Sequence, residues 1–411
     1  VWKASTRLLD PLLTEVLAER PALLLAGPRA TRKTTTAARH AASVVRLDRE
    51  AEATAFRADP DVALAGLEEP ILLDEWQVVP QVLGAVKRAV DADPRPGRFL
   101  LTGSVRADLD TETWPGTGRL VRLRLLGMTV AEQQKLGDRH IPFLDRIAAG
   151  ETFRSPKSAA NLRDYVELAL RGGFPAAALG TSPRARQRWL DSYVDQLVTR
   201  DAPQVGEVRD PDRLRRYFEA LALNTAGVVA DKTLQEAARI DRRTALSYEQ
   251  LLKNLFVVES LPAWSSNRIK RLVKSPKRHL VDPALATALL RVDTAAVLRD
   301  GDLLGRSLDS FALAQLRGEL ESCACRPRLF HLRAEDGRHE VDLLAELGGG
   351  RVIGIEIKAT AAPGDADARH LAWLRDSLGD RFVAGVVLHT GPKAFAMGDR
   401  IQAVPICCLW Q

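Results

Sequence analysis

Eight consecutive residues, Gly27-Pro28-Arg29-Ala30-Thr31-Arg32-Lys33-Thr34, have the types and spacing that would hold a phosphate. A glycine opens a loop whose backbone N–H groups can wrap phosphate oxygens at the start of a helix. Lys33 would reach the β- and γ-phosphates of ATP, or the β-phosphate of ADP, and Thr34 would ligate Mg²⁺, with Gly27, Arg29, Arg32 and Thr35 completing the loop. Arg32 stands where the pattern asks for glycine. If that position needs a positive φ, a side chain there costs about 1–2 kcal/mol, and each 1.4 kcal/mol is about tenfold in affinity. Further on, the apolar run Ile71-Leu72-Leu73 ends in Asp74-Glu75. Asp74 would hold Mg²⁺ through water, and Glu75 would orient and polarise the attacking water. Thr102-Gly103-Ser104 closes another apolar run, where a polar side chain such as Ser104 would sense the γ-phosphate.

A second constellation lies near the C-terminus: Glu340-Val341-Asp342, then Glu356-Ile357-Lys358. Residues two apart on a strand share a face, so Glu356 and Lys358 would point together. Asp342 on the preceding strand and Asp309 on a helix at 308–316 would join them. The set resembles the PD-(D/E)xK nuclease-like fold. That resemblance implies carboxylates holding Mg²⁺ (Asp342 and Glu356, with Asp309 at the edge) and Lys358 polarising water for phosphodiester attack. A site live in this sense and one that keeps the fold without the chemistry both remain open.

Two basic stretches, Arg239 with Arg242 and Arg243, and the run Arg268, Lys270, Arg271, Lys274, Lys277 and Arg278 beside Trp264, suit either a phosphate backbone or a solvated face. The net charge of +6 over 411 residues permits a nucleic-acid partner without demanding one. The seven histidines form no metal-binding grouping, and Cys323, Cys325, Cys407 and Cys408 read as free or buried thiols. No apolar run approaches the roughly 18–20 residues of a membrane span, and no secretory signal is recognisable, so the expectation is a cytoplasmic protein.

These residues need elements to position them. Apolar runs at 22–26, 44–48, 71–74, 98–102 and 120–125 read as strands, with helices at 34–43 and 82–91, the pattern of a parallel α/β sheet. The chain then reads mostly helical from 131 to 298, broken once at Gly172-Gly173 and Pro175. Two helices within 233–255, followed by extended residues at 256–261, suggest a winged helix-turn-helix. Hairpin strands at 340–344 and 351–358 and a strand at 382–388 end the chain. The expected fold is α/β: a P-loop NTPase parallel sheet (1–130), a helical winged-helix middle (131–300) and a mixed α/β nuclease-like C-terminal domain (301–411).

The order Gly27-Pro28-Arg29-Ala30-Thr31, Leu72-Leu73-Asp74-Glu75 with Gln77, Pro96-Gly97-Arg98, Arg171-Gly172-Gly173-Phe174-Pro175 and Ser275-Pro276-Lys277 resembles a large bacterial and archaeal AAA-type ATPase family with a C-terminal domain of unknown function. The likeness runs from Arg7-Leu8-Leu9 to Leu409-Trp410. It implies ATP binding with Mg²⁺. It also points to Arg119, after Gly116-Thr117-Gly118, as a group that would neutralise γ-phosphate charge in cis or from a neighbouring subunit. The leading expectation is a weak ATPase whose nucleotide state is read by the C-terminal part, with a DNA or protein partner and an oligomer both open. The rivals are a nucleotide sensor or scaffold that does not hydrolyse, and a nuclease that needs no ATP.

Overall fold

The computed structural model describes residues 6–105, 118–206, 208, 210–267, 275–334 and 337–411. Gly116 and Thr117, and most of the basic run (Arg268, Lys270, Arg271 and Lys274), lie outside them. The chain divides into two compact units, Val1–Leu126 with Leu251–Phe256, and Gly127–Gln250 with Val257–Gln411.

The first unit is built on five strands: β1 (Ala22–Ala26), β2 (Ser43–Arg46), β3 (Ile71–Asp74), β4 (Phe99–Gly103) and β5 (Leu120–Arg124). All pair in parallel, in the order β2-β3-β4-β1-β5. The central strands β1, β3 and β4 are buried along their whole length. Strands covered on both faces read as unbroken apolar runs, and for that reason the sequence reveals them. Successive residues feed opposite faces: Leu24, Leu73, Phe99 and Leu101 join one core, Leu23, Leu25, Leu72 and Leu100 the other. The register sets Ala26 beside Gly103 and Leu73 beside Leu101. The carboxyl ends of β1, β3 and β4 therefore lie side by side, where open α/β sheets bind their ligands.

The second unit begins with helices, of which Arg242–Asn254 passes into the first unit at Leu251. Asp231–Ala238 and Arg242–Asn254 are joined by a turn in which Arg239 takes a φ of 55° and Asp241 caps the second helix by accepting from the Thr244 amide. Two antiparallel strands follow, β6 (Val258–Leu261) and β7 (Lys277–Leu280). The last part is a six-stranded mixed sheet of β8 (Arg328–Ala334), β9 (His339–Glu346), β10 (Val352–Lys358), β11 (Phe382–His389), β12 (Phe395–Gly398) and β13 (Ile401–Pro405), in the order β12-β13-β11-β10-β9-β8. β8, β9 and β10 form an antiparallel meander. The helix Asp365–Leu378 then carries the chain to β11, parallel to β10. The helix expected at 308–316 is longer, Gly301–Glu319. One core serves the helices and this sheet together, including Tyr165, Phe311, Ile355 and Trp410.

At the outer edge of β8, Trp264 N donates to His331 O at 2.7 Å and His331 N donates to Pro262 O at 3.0 Å. The short segment after β6 thus pairs with that edge. All four cysteines are free thiols. Among the described residues no helix is long and apolar enough to cross a membrane.

Candidate functional site

The loop after β1 is held from three sides. A side chain at Gly27 would place its Cβ 2.1 Å from the Leu125 carbonyl oxygen, so only glycine lets the loop leave the sheet beside β5. Arg7, buried, donates to Thr31 O at 3.0 Å and to Leu126 O at 2.9 Å, and Thr31 Oγ1 donates to Pro28 O at 3.0 Å. In the sequence Arg7 stands out only as the start of the family likeness; its role is hidden because its partners are carbonyls that any residue could supply. Within the loop, Ala30 and Arg32 have φ of 63° and 65°. Arg32 therefore occupies the left-handed region that glycine enters freely, and the glycine the pattern asks for has a conformational reason.

Arg32 leads directly into the helix Lys33–Ala37. The buried Lys33 donates through Nζ to Pro28 O at 2.8 Å. Burial lowers its ammonium from 10.5 to about 8, against the pull of Glu75 and Asp74 and with the push of the nearby Arg29. Thr34 Oγ1 donates to Asp74 Oδ1 at 2.6 Å, and the buried Thr102 hydroxyl donates to the same oxygen. Two hard oxygen donors, Thr34 and Asp74, thus meet at one point, which fits the all-oxygen chemistry of Mg²⁺.

Glu75 sits at φ 54°, a third left-handed non-glycine residue at the site after Ala30 and Arg32. Its amide donates to Thr102 Oγ1 at 3.3 Å, and its Oε2 accepts from Ser104 Oγ at 3.0 Å and from the Gln77 amide. Ser104, expected to sense a phosphate, also holds Glu75. Gln77, seen in the sequence only as part of a motif, shares that task. Arg29 and Arg32 are half-buried in the loop, and Thr35 faces solvent on the first helical turn.

Arg119 needs correction. It precedes Leu120, which pairs with Ala22 at the start of β1, whereas the loop leaves from Ala26. Four strand steps, roughly 13 Å, separate the two ends, and Arg119 pairs with Asp91 instead. A parallel sheet places this residue at the edge away from the phosphate loop of its own chain.

The second constellation does converge. Lys358 Nζ lies 2.6 Å from Glu356 Oε2 and 3.7 Å from Asp342 Oδ2, which also accepts from the Ile357 amide at 3.0 Å. A further member is Lys277 of β7, which in the sequence reads only as part of a basic run and of the Ser275-Pro276-Lys277 motif. Its Nζ lies 3.2 Å from Glu340 Oε1 and 3.4 Å from Asp342 Oδ1. Burial pushes Asp342 up, but Lys277 and Lys358 outweigh it and hold the carboxyl below its ordinary value. Burial, and then the Asp342 charge, drive both Asp309 and Glu356 well above the usual carboxylate range. Among the described residues no three carboxylate, histidine or cysteine side chains are arranged to hold a metal ion. Asp309, Asp342 and Glu356 do not form a three-carboxylate group of that kind. Two ammonium groups stand among those carboxylates, and two of the three carboxyls are pushed toward their neutral form.

Comparison with known proteins agrees with the geometry of the first unit. Residues 19–134 match the AAA domain family, and two domains of unknown function match residues 162–296 (DUF8612) and 304–409 (DUF4143). Over 400 residues the chain is 30% identical to the uncharacterized protein Rv2008c of Mycobacterium tuberculosis and to the uncharacterized protein Mb2031c of Mycobacterium bovis, covering 96% of this chain and 82% of each relative. Among solved structures, the Walker-type ATPase PABY2304 of Pyrococcus abyssi aligns over 71% of this chain and 99% of its own, at 15% identity and a TM-score of 0.41. Sheet order, phosphate loop and acidic strand end define a P-loop protein of the AAA class. The chain belongs to the same family as these two mycobacterial proteins, and its own residues 19–134 are an AAA domain.

Proposed function

We propose that the first unit binds ATP with Mg²⁺ and hydrolyses it slowly, and that its nucleotide state is read by the remainder of the chain. The observation that carries this reading is the meeting of Lys33, Thr34, Asp74 and Glu75 at the carboxyl ends of β1 and β3, with Thr34 already on Asp74. Lys33 would hold the β- and γ-phosphates, while Thr34 and Asp74 would hold Mg²⁺, which when bound neutralises charge on the transferring phosphoryl group. Glu75 would orient water, with Ser104 and Gln77 fixing its carboxylate. The test is calorimetric titration of ATP and ADP, with and without Mg²⁺, followed by phosphate release at saturating ATP. Failure of both nucleotides to bind would end the proposal.

A second reading, a sensor that binds without turnover, draws on Arg32. A left-handed arginine costs about 1–2 kcal/mol relative to glycine; Arg32 already holds φ 65° before nucleotide binds, so Arg32→Gly is expected to stabilise the fold by about that amount and to leave ATP affinity nearly unchanged. Weaker binding in that variant would make Arg32 a phosphate ligand. Absence of phosphate release from a chain that binds ATP would decide for the sensor.

Lys33 also gives the affinity a pH dependence. Its ammonium titrates near 8 in the free chain. A bound phosphate would hold it charged, so binding takes up a proton above that pH. ATP affinity should be flat near pH 7 and fall about tenfold per pH unit as pH rises past the Lys33 value. Titration calorimetry between neutral and alkaline pH reads this directly, and a flat profile throughout would detach Lys33 from the phosphate.

A further inference from the structure

The cluster around Asp342 draws its cations from two directions. Lys358 comes from β10, the same hairpin as the carboxylates Glu340, Asp342 and Glu356. Lys277 comes from β7, which follows the helix-turn-helix and belongs to a different sheet. All four residues of β7 are buried, and Lys277 itself is 4% exposed. A lysine ammonium is a compact, strongly hydrated charge, and stripping its water is costly unless carboxylates replace it. Here Glu340 and Asp342 do so, at 3.2 and 3.4 Å. Each oxygen of Asp342 thereby faces a different ammonium, Oδ1 toward Lys277 and Oδ2 toward Lys358. A small divalent ion would need those same oxygens at about 2.0–2.1 Å in a near-octahedral set.

The hairpin that delivers Lys277 is also anchored beside the cluster. Ser275 O accepts from His331 Nε2 at 3.2 Å, Trp264 Nε1 donates to Glu346 Oε1 at 3.1 Å, and Ala263 bridges His331 on β8. Lys277 therefore sits at the buried end of an element docked on the edge of the C-terminal sheet.

We infer that Lys277 is the resident cation of this cluster: it stands in for a metal and locks the β6–β7 hairpin to the β9–β10 hairpin. The carboxylates then serve as a latch for the helix-turn-helix module and not as a hydrolytic centre. The latch is electrostatic and short-ranged, so it is either closed, with its charges matched, or open, with buried carboxylates left to find another cation.

The test uses the full chain in an Asp74→Asn background without nucleotide, so that the phosphate loop contributes no metal. Mn²⁺ binding is followed by electron paramagnetic resonance. With Lys277 intact, Asp342→Asn should leave the number of bound ions unchanged. Lys277→Met should add one Mn²⁺, and adding Asp342→Asn should remove it. Binding that depends on Asp342 while Lys277 is present would overturn the inference, as would a Lys277→Met chain that gains no ion. Amide exchange gives a second reading. Protection of residues 277–280 should fall at least about tenfold in Lys277→Met, as expected on breaking a buried pair, and should persist in Lys277→Arg. Unchanged protection in Lys277→Met would remove the latch. Should Lys277→Met fail to fold, the Lys277→Met/Asp342→Asn pair, which removes both charges, must recover stability; no recovery counts against the inference.

Discussion

Lys33→Ala is expected to weaken ATP binding by about thirtyfold to several thousandfold, corresponding to the roughly 2–5 kcal/mol lost when one partner of a buried charged contact is truncated. Lys33 is buried, and its ammonium is already turned to the loop, on Pro28 O at 2.8 Å. Removal takes away both the charge a phosphate would meet and the clip that shapes the loop without nucleotide. Lys33→Arg separates the two, since it keeps the charge but cannot place it as a point. Calorimetric titration measures the loss, and equal affinity in wild type and Lys33→Ala would remove this loop from nucleotide binding.

Glu75→Gln is expected to leave ATP binding nearly unchanged and to slow phosphate release by about 10²–10⁴-fold, the usual worth of a positioned general base. The replacement keeps an oxygen that can accept from Ser104 Oγ, now at 3.0 Å, and leaves the backbone at φ 54° undisturbed. What it loses is the negative charge that polarises water. Wild-type turnover in Glu75→Gln would assign that role elsewhere.

Both residues could be read from the sequence because the chemistry is local. Lys33 and Thr34 follow a five-residue apolar strand, and Asp74 and Glu75 end another, so order along the chain fixes their place at one sheet edge. The hairpin of β9 and β10 was equally readable from two apolar strands around consecutive glycines. β12 was not, because its four residues are largely exposed and carry no alternation to see. Arg119 immediately precedes the strand read at 120–125, so a parallel sheet sets it at the amino end of that strand, away from the loop of its own chain; only the contribution to a neighbouring subunit stays open. Lys277 was not readable. In the sequence it belongs to a basic run that resembles a solvated face, and only the pairing of distant strands reveals that it is buried among carboxylates.

The segment Pro262–Trp264 lies along a strand that would otherwise end its sheet. Bare strand edges are templates for other chains, and proteins blunt them with charge or cover them. β8 does both: Arg328 and Arg333 face solvent from its seven residues, while its middle is capped through His331. Any state that lifts this cover exposes backbone donors and acceptors ready to recruit a second strand. A rearrangement of the hairpin would therefore carry a concentration-dependent cost, with self-association at β8 competing against reclosure.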